Sequence, residues 1–196
     1  MSITFVRHAE STANAGNKRL SQYYSTLTKK GVAQAEALRK TLPAEGLIVT
    51  SPFVRAKETT LSAFDTYTEI WPVQEFTYLP ESDEASKADI EAYWERNDPL
   101  YSTAPPHTES FAQFIRRVAT NLHNLEGMTA TVVTHSQFIK AVYWVILTGG
   151  STDMKAFRRF KSILGIPNTA IVRLTWDGRW HISGPDVAHL LEHERH

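Results

Sequence analysis

Ile3-Thr4-Phe5-Val6-Arg7-His8-Ala9-Glu10-Ser11 is the stretch on which the fold and chemistry of this chain turn. Ile3–Val6 is a β-type run that delivers an arginine and a histidine, side by side, into a polar, turn-prone segment. A guanidinium binds phosphate oxygens through a planar fork that lysine cannot copy. A neutral imidazole can attack phosphorus and carry it as a covalent intermediate. An isolated Arg-His pair usually does no more than finish a strand, so its meaning depends on what the rest of the chain brings to it.

Further strands are expected at Leu47–Val49, Val73–Phe76, Ala130–Val133 and Ala170–Leu174, all rich in β-branched residues. Helical patterns separate them. Thr28 is suited to cap a helix with Val32, Ala35 and Leu38 on its apolar side, and Pro43 and Gly46 close that segment. Pro52 suits the first turn of a helix carrying Arg55, where its missing N–H would be unpaired anyway. Ser110 or Thr108 starts a helix that buries Phe111, Phe114, Ile115, Val118 and Leu122. Gln137–Leu147 forms another, ended by Gly149-Gly150, and Asp177-Gly178 turns a hairpin between Trp176 and Trp180. This alternation predicts a three-layer α/β sandwich, a mostly parallel central sheet with helices on both faces. Ligands in such sheets bind beyond the carboxyl ends of the strands. His8 follows the first strand, Arg55 the second and His135 the fourth, which aims three segments at one edge.

A length of 196 residues with 42% hydrophobic side chains suits one domain over residues 1–196, and no repeat or linker interrupts it. The 21 basic and 21 acidic residues balance, so no global field draws the chain to nucleic acid or to an anionic membrane. Cysteine is absent, which excludes disulfides, thiolate metal sites and cysteine catalysis. The N-terminus runs straight into a strand and leaves no room for a removable signal peptide. The apolar run Ala141–Leu147 is too short for a bilayer, and a soluble cytoplasmic protein is expected.

Five blocks together resemble a known family. Arg7-His8-Ala9-Glu10-Ser11 with Asn14 is followed by Leu27-Thr28-Lys29-Lys30-Gly31 with Gln34-Ala35. Ser51-Pro52-Phe53-Val54-Arg55-Ala56-Lys57-Glu58-Thr59 comes next, then Glu109-Ser110 with Arg117-Val118, and finally Val132-Val133-Thr134-His135-Ser136. In this order they are similar to the signatures of the histidine phosphatase superfamily, the phosphoglycerate-mutase-like group. The resemblance implies a histidine-acid-phosphatase-like phosphoric monoester hydrolase that uses no metal and no cofactor. It implies catalytic roles for His8, Arg7, Arg55 and His135. The arginines suit the charge of a phosphoryl group in transfer, and His8 needs one unprotonated nitrogen while the other donates to a fixed acceptor such as a backbone carbonyl. Ser11, Asn14 and Ser136 are candidate substrate-binding residues at the wall of the site.

The leaving alkoxide needs a general acid. Relatives carry a Glu in a Leu-x-Glu context, which Leu79-Pro80-Glu81 matches and Val73-Gln74-Glu75 matches with one conservative change, although the later Gly-x-Trp-x-Gly follows neither. A strand-end position favours Glu75, whereas Glu81 sits in a run that reads as solvated loop. Residues 77–108 are expected to form a lid-like insertion, with Ile90, Tyr93 and Trp94 on one helical face and Arg96 and Asn97 as candidates to approach substrate. Arg116-Arg117 reads as the solvated edge of a helix. His189, His193 and His196 have helical spacing but lack the pattern of a metalloprotease. The partner expected is a small phosphorylated substrate or a phosphoprotein, and the sequence leaves the oligomeric state open. Two rivals stand beside hydrolysis: a mutase that returns the phosphoryl group to a hydroxyl, and a noncatalytic phospholigand-binding module.

Overall fold

The computed structural model describes residues 1–16, 23–43, 45–80 and 86–193. One sheet of six strands organises them: β1 (Ser2–Arg7), β2 (Leu47–Thr50), β3 (Glu69–Ile70), β4 (Ala130–Thr134), β5 (Ile171–Trp176) and β6 (Trp180–Ile182). Their spatial order is β3-β2-β4-β1-β5-β6. The first four run parallel, β5 pairs antiparallel with β1, and β6 pairs antiparallel with β5. Seven helices are described: α1 (Lys29–Leu38), α2 (Val54–Phe64), α3 (Lys87–Arg96), α4 (Phe111–Asn124), α5 (Ser136–Thr148), α6 (Met154–Ile163) and α7 (Ala188–His193). Among the described residues no helix is long and apolar enough to cross a membrane.

Strand alternation divides the interior between two faces. Ile3, Phe5, Ala130, Val132, Val172 and Leu174 point into the larger core with residues of α3, α4, α5 and α6. Val6, Val133 and Ile171 point the other way, onto Leu38 of α1 and Ala56 and Ala63 of α2. The α4 pattern holds in full: Phe111, Phe114, Ile115, Val118 and Leu122 are all buried. A buried Phe or Leu contributes about 1.5–3 kcal/mol. Ser110 caps α4 in a reciprocal box with Gln113, Thr28 caps α1 through Gly31 N–H, and Gly149 ends α5 in the left-handed region.

Several expectations need correction. Val73–Phe76 is not a strand, because Arg117 takes the Pro72, Gln74 and Glu75 carbonyls that a neighbouring strand would have used. The third strand is instead the two-residue β3, just before Pro72. Pro52 lies ahead of the α2 cap, Phe53, rather than in the first turn. Val32 is exposed, and the buried side of α1 is Gly31, Ala35 and Leu38. Helix α6, whose amphipathic face buries Met154 and Phe157, has no counterpart among the expected elements.

Candidate active site

The parallel register brings the ends of β1, β2 and β4 level. Arg7 pairs with Thr134 and Thr50 with Val133. Each ladder runs one step further, with His8 N–H donating to Thr134 O at 2.8 Å and Ser51 N–H to Val133 O at 3.0 Å. His8, Ser51 and His135 therefore leave the sheet at one edge, and Arg55 reaches them from the first turn of α2. The segment after His8 is clamped from behind. A Cβ on Gly31 would stand 2.0 Å from Glu10 O, so α1 packs there backbone to backbone. Thr28 Oγ1 donates to Glu10 Oε1 at 2.8 Å, and Ala9 N–H donates to Thr59 Oγ1 at 3.0 Å.

Arg55 bridges the two histidines. Its Nε–H donates to His8 Nε2 at 3.0 Å, and one terminal nitrogen donates to His135 Nδ1 at 3.0 Å. Arginine has only donors, so both ring nitrogens must be unprotonated. The second nitrogens then take the protons. His8 Nδ1–H donates to Ala9 O at 2.7 Å, and His135 Nε2–H donates to Ser51 Oγ at 2.7 Å. Both rings are buried and 5.0 Å apart. Burial first, then the charges of Arg55 and Arg7, hold the His8 imidazole well below the ordinary histidine range. Burial and Arg55 do the same to His135. His8 thus presents a neutral ring with its Nε2 lone pair toward a guanidinium.

Arg7 is turned from the other side. It donates to Ile166 O at 2.6 Å, while its Nε–H is buried with no acceptor. A donor in that state costs about 1–3 kcal/mol unless a ligand supplies the acceptor. Burial lowers the Arg7 pKa and takes that of Arg55 down to about 10, and Glu75 is the opposing carboxylate in both cases. Ser11 is buried and donates to Asn14 Oδ1 at 3.2 Å. Asn14 is exposed and also receives Asn168 Nδ2 at 3.2 Å, while Asn168 Nδ2 donates to His8 O at 3.0 Å. Ser136 is the first residue of α5, half-buried beside His135.

Of the two acid candidates, Glu75 is at this edge. Its Oε1 accepts from Gln137 N–H in the first turn of α5 at 2.7 Å, close to where the positive end of the helix dipole lies. Glu81 lies outside the described residues. Arg117 explains how Glu75 is held, and it is no solvated edge. Its guanidinium donates to Pro72 O at 2.8 Å, Gln74 O at 3.0 Å and Glu75 O at 3.4 Å, and pairs with Glu109 at 2.5 Å. Arg116 beside it is exposed. Within 77–108, Tyr93 and Trp94 are each only 3% exposed and belong to the core, whereas Ile90 is exposed. Arg96 stacks on Tyr101, its carbon centre 3.8 Å from the ring, and Asn97 caps α3, so neither is committed to the strand edge.

Ser51 and Asn168 are polar residues of the site that the motifs do not single out. Ser51 closes a β-branched run, which is a usable signal. Asn168 carries none, because its position depends on antiparallel β5 returning beside β1. The C-terminal histidines do not converge among the described residues, where no group of three or more His, Cys, Asp or Glu could hold a metal ion. His189 is buried with Nε2 against Thr169 Oγ1 at 3.0 Å, while the His193 side chain and His196 lie outside the described residues.

Comparison with known proteins agrees with this geometry. A sequence profile of the histidine phosphatase superfamily (branch 1) matches residues 3–184. The metal-independent phosphoserine phosphatase of Arabidopsis thaliana is 28% identical over 210 residues, covering 96% of this chain and 82% of that protein. The solved phosphoserine phosphatase of Entamoeba histolytica, in complex with 3-phosphoglyceric acid, superposes with a TM-score of 0.74 at 18% identity, covering 96% of this chain and 98% of that one. A phosphoglycerate mutase from Thermus thermophilus superposes with a TM-score of 0.65 at 23% identity, covering 95% and 99%. Those two structures speak for the fold, and the profile for the lineage. With its blocks in order and their histidines and arginines gathered at one strand edge, this chain belongs to the histidine phosphatase superfamily and is an enzyme of the phosphatase class.

Proposed function

We propose that this chain hydrolyses a small phosphomonoester through phosphohistidine at His8, without a metal. The observation that carries this reading is the tautomer of His8: Nδ1–H is held by Ala9 O, leaving the Nε2 lone pair directed at a guanidinium. The substrate's phosphoryl oxygens take over the donors of Arg55 and the unpaired Nε–H of Arg7, and phosphorus comes to stand before Nε2. The N–P bond forms as the ester P–O bond breaks in line, and Glu75 gives its proton to the departing alkoxide. The resulting carboxylate then takes a proton from a water, the water oxygen attacks phosphorus, and the N–P bond breaks to return neutral His8 and release inorganic phosphate. Arg117 keeps Glu75 in register through the backbone carbonyls before it.

The substrate class receives support from relatives whose names carry phosphoserine and 3-phosphoglyceric acid, both small phosphomonoesters. The described residues between 77 and 108 serve as a packed side wall, since Tyr93 and Trp94 are seated in the core. The test is a panel of phosphomonoesters run with and without chelator, beside rapid-quench trapping. Hydrolysis that survives chelator and yields an acid-labile, base-stable phosphoryl adduct is expected. Return of the phosphoryl group to a second hydroxyl, with no phosphate released, supports the mutase reading instead, and undiminished turnover in His8→Ala overturns the mechanism.

A further inference from the structure

Among the described residues, the phosphoryl chemistry leaves one buried histidine without a role. His189 stands on α7, after the last strand, and its side chain is buried. The segment leading into α7 is tied to the start of β5. Ile171 N–H donates to Asp186 O at 2.8 Å, and Asp186 N–H donates back to Ile171 O at 2.9 Å. Asp186 Oδ1 then accepts from Ala188 N–H at 2.9 Å, and α7 packs on α1.

From that place the ring reaches Thr169, with Nε2 3.0 Å from Thr169 Oγ1. The Thr169 hydroxyl gives its own proton to Asn168 O, 2.7 Å away, so its oxygen is the acceptor and His189 supplies an Nε2–H. Threonine is a poor choice for this backbone. Its φ is 56°, in the left-handed region that β-branched residues avoid. The conformation turns two donors onto the end of β1. Thr169 N–H donates to Arg7 O at 3.1 Å, and Asn168 Nδ2 donates to His8 O at 3.0 Å. A chain of hydrogen bonds, continued through the covalent frame of Asn168, therefore runs from the C-terminal helix to the backbone of His8. Strain of this kind persists only where neighbours hold it in place. His189 is the neighbour that reaches Thr169 from outside the strand edge.

We propose that His189 is a positioning residue: through Thr169 it holds the Asn168 turn against the His8 carbonyl, and so keeps the His8 ring in line for attack on phosphorus. This rests on the nucleophilic reading of His8 above and adds to it a residue that acts from behind the site. Loss of the His189 contact lets the ring leave its attacking geometry but removes no phosphate donor, because Arg7 keeps its support at Ile166 O and Arg55 its place on α2. A displaced nucleophile loses rate steeply even when substrate still binds.

Orthovanadate and inorganic phosphate separate these two effects. Vanadate takes up the five-coordinate geometry of phosphoryl transfer when a lone pair is aligned with it, whereas phosphate needs only the donors. Dissociation constants for both are measured by calorimetry, beside kcat and KM on an aryl phosphate. His189→Met fills the volume without an N–H, and His189→Gln restores an N–H near the Nε2 position. The methionine variant is expected to bind vanadate about tenfold more weakly and to lose about tenfold in kcat, while phosphate binding and KM stay within about twofold. The glutamine variant should recover most of both losses. Thr169→Val keeps the branched shape and loses the hydroxyl. It should copy the methionine variant, and combining the two should add little. If His189→Met does not fold, Thr169→Val decides. Equal losses in the methionine and glutamine variants, equal weakening of vanadate and phosphate, or a fully active Thr169→Val overturns the proposal. His8→Ala is the separate control. A vanadate preference that is absent from the unmodified protein, or that survives His8→Ala, overturns the nucleophilic reading itself, and the proposal falls with it.

Discussion

The floor of the site and its outer wall treat charge in opposite ways. On the floor, at the ends of β1, β2 and β4, His8, His135 and Arg55 are linked to one another and to Ala9 O and Ser51. These groups are buried, and their protonation states follow from their partners. On the wall, the Lys161 ammonium lies over the Trp94 ring with no ion pair among the described residues, while its backbone carbonyl receives Lys140. A chemical step common to many substrates requires the first arrangement, because a nucleophile must be held within a fraction of an ångström. The second arrangement is looser, because an ammonium on a flexible stem can take a range of positions. Substitutions on the floor should therefore lower the rate for every substrate, and those at Lys161 on the wall should be tolerated far better.

The largest expected effect is on the floor. His8→Ala should lower kcat by about 10⁴-fold or more for every phosphomonoester, because no other group offers an aligned lone pair. Arg55→Lys keeps a charge but cannot present a planar set of donors to the phosphoryl oxygens. A loss of roughly a hundredfold in kcat/KM, about 3 kcal/mol, is expected irrespective of leaving group. A variant with full activity would show that Arg55 provides only diffuse charge.

Glu75 lies between the two regions and should show mixed behaviour. Glu75→Gln is expected to slow an alkyl phosphate by about a hundredfold but an activated aryl phosphate by less than tenfold, since phenolate leaves with little proton assistance. Arg117→Lys releases part of the fork that holds Pro72, Gln74 and Glu75, so it should reproduce the same selective defect at a smaller size. If Arg117→Lys slows both leaving groups equally, the clamp serves the core rather than the acid. Glu81→Gln is the control, expected to treat the two leaving groups alike.

The smallest effect sharpens the comparison through stability. His8 and His135 are held neutral in the fold, with their proton affinity well below that of an exposed histidine. The unfolded chain therefore binds more protons than the native one just below pH ~6.5. The stabilisation is complete above that pH and is lost as pH falls toward the folded-state values. Each ring adds up to about 1.4 kcal/mol per pH unit over that window. Denaturant titrations between pH 7.5 and 5 should give a shallower pH slope for His8→Asn than for the parent. Equal slopes would mean that the ring becomes protonated without leaving its place.

Much of the floor was legible because each of its residues ends a local signal. Arg7-His8 and His135 close β-branched runs, and Arg55 opens a helix one turn beyond another. Strand periodicity and the rule that parallel sheets bind ligands at their carboxyl ends are enough to group such residues. The buried face of α4 and the caps at Thr28, Ser110 and Gly149 were legible for the same reason, being settled within a few residues of chain. Local pattern misled at Val73–Phe76. A β-branched start and alternating side chains suggested a strand, but Arg117, about forty residues later, took its carbonyls.

The sequence by itself determined the class of fold and singled out His8 as the proposed nucleophile with Arg7, Arg55 and His135 around it, since these readings depend on residue type and on neighbours along the chain. Only the tertiary structure decided which nitrogen of His8 is free, that Ser51 and Asn168 bond to His135 and to the His8 carbonyl, that Glu75 reaches the start of α5, and that Lys161 lies over the Trp94 ring. The physical reason is the range of the interactions. Caps, turns and amphipathic faces act over one or two turns of chain, whereas a proton's position and a buried charge are set by whatever the fold brings within about 3–6 Å, however distant in sequence.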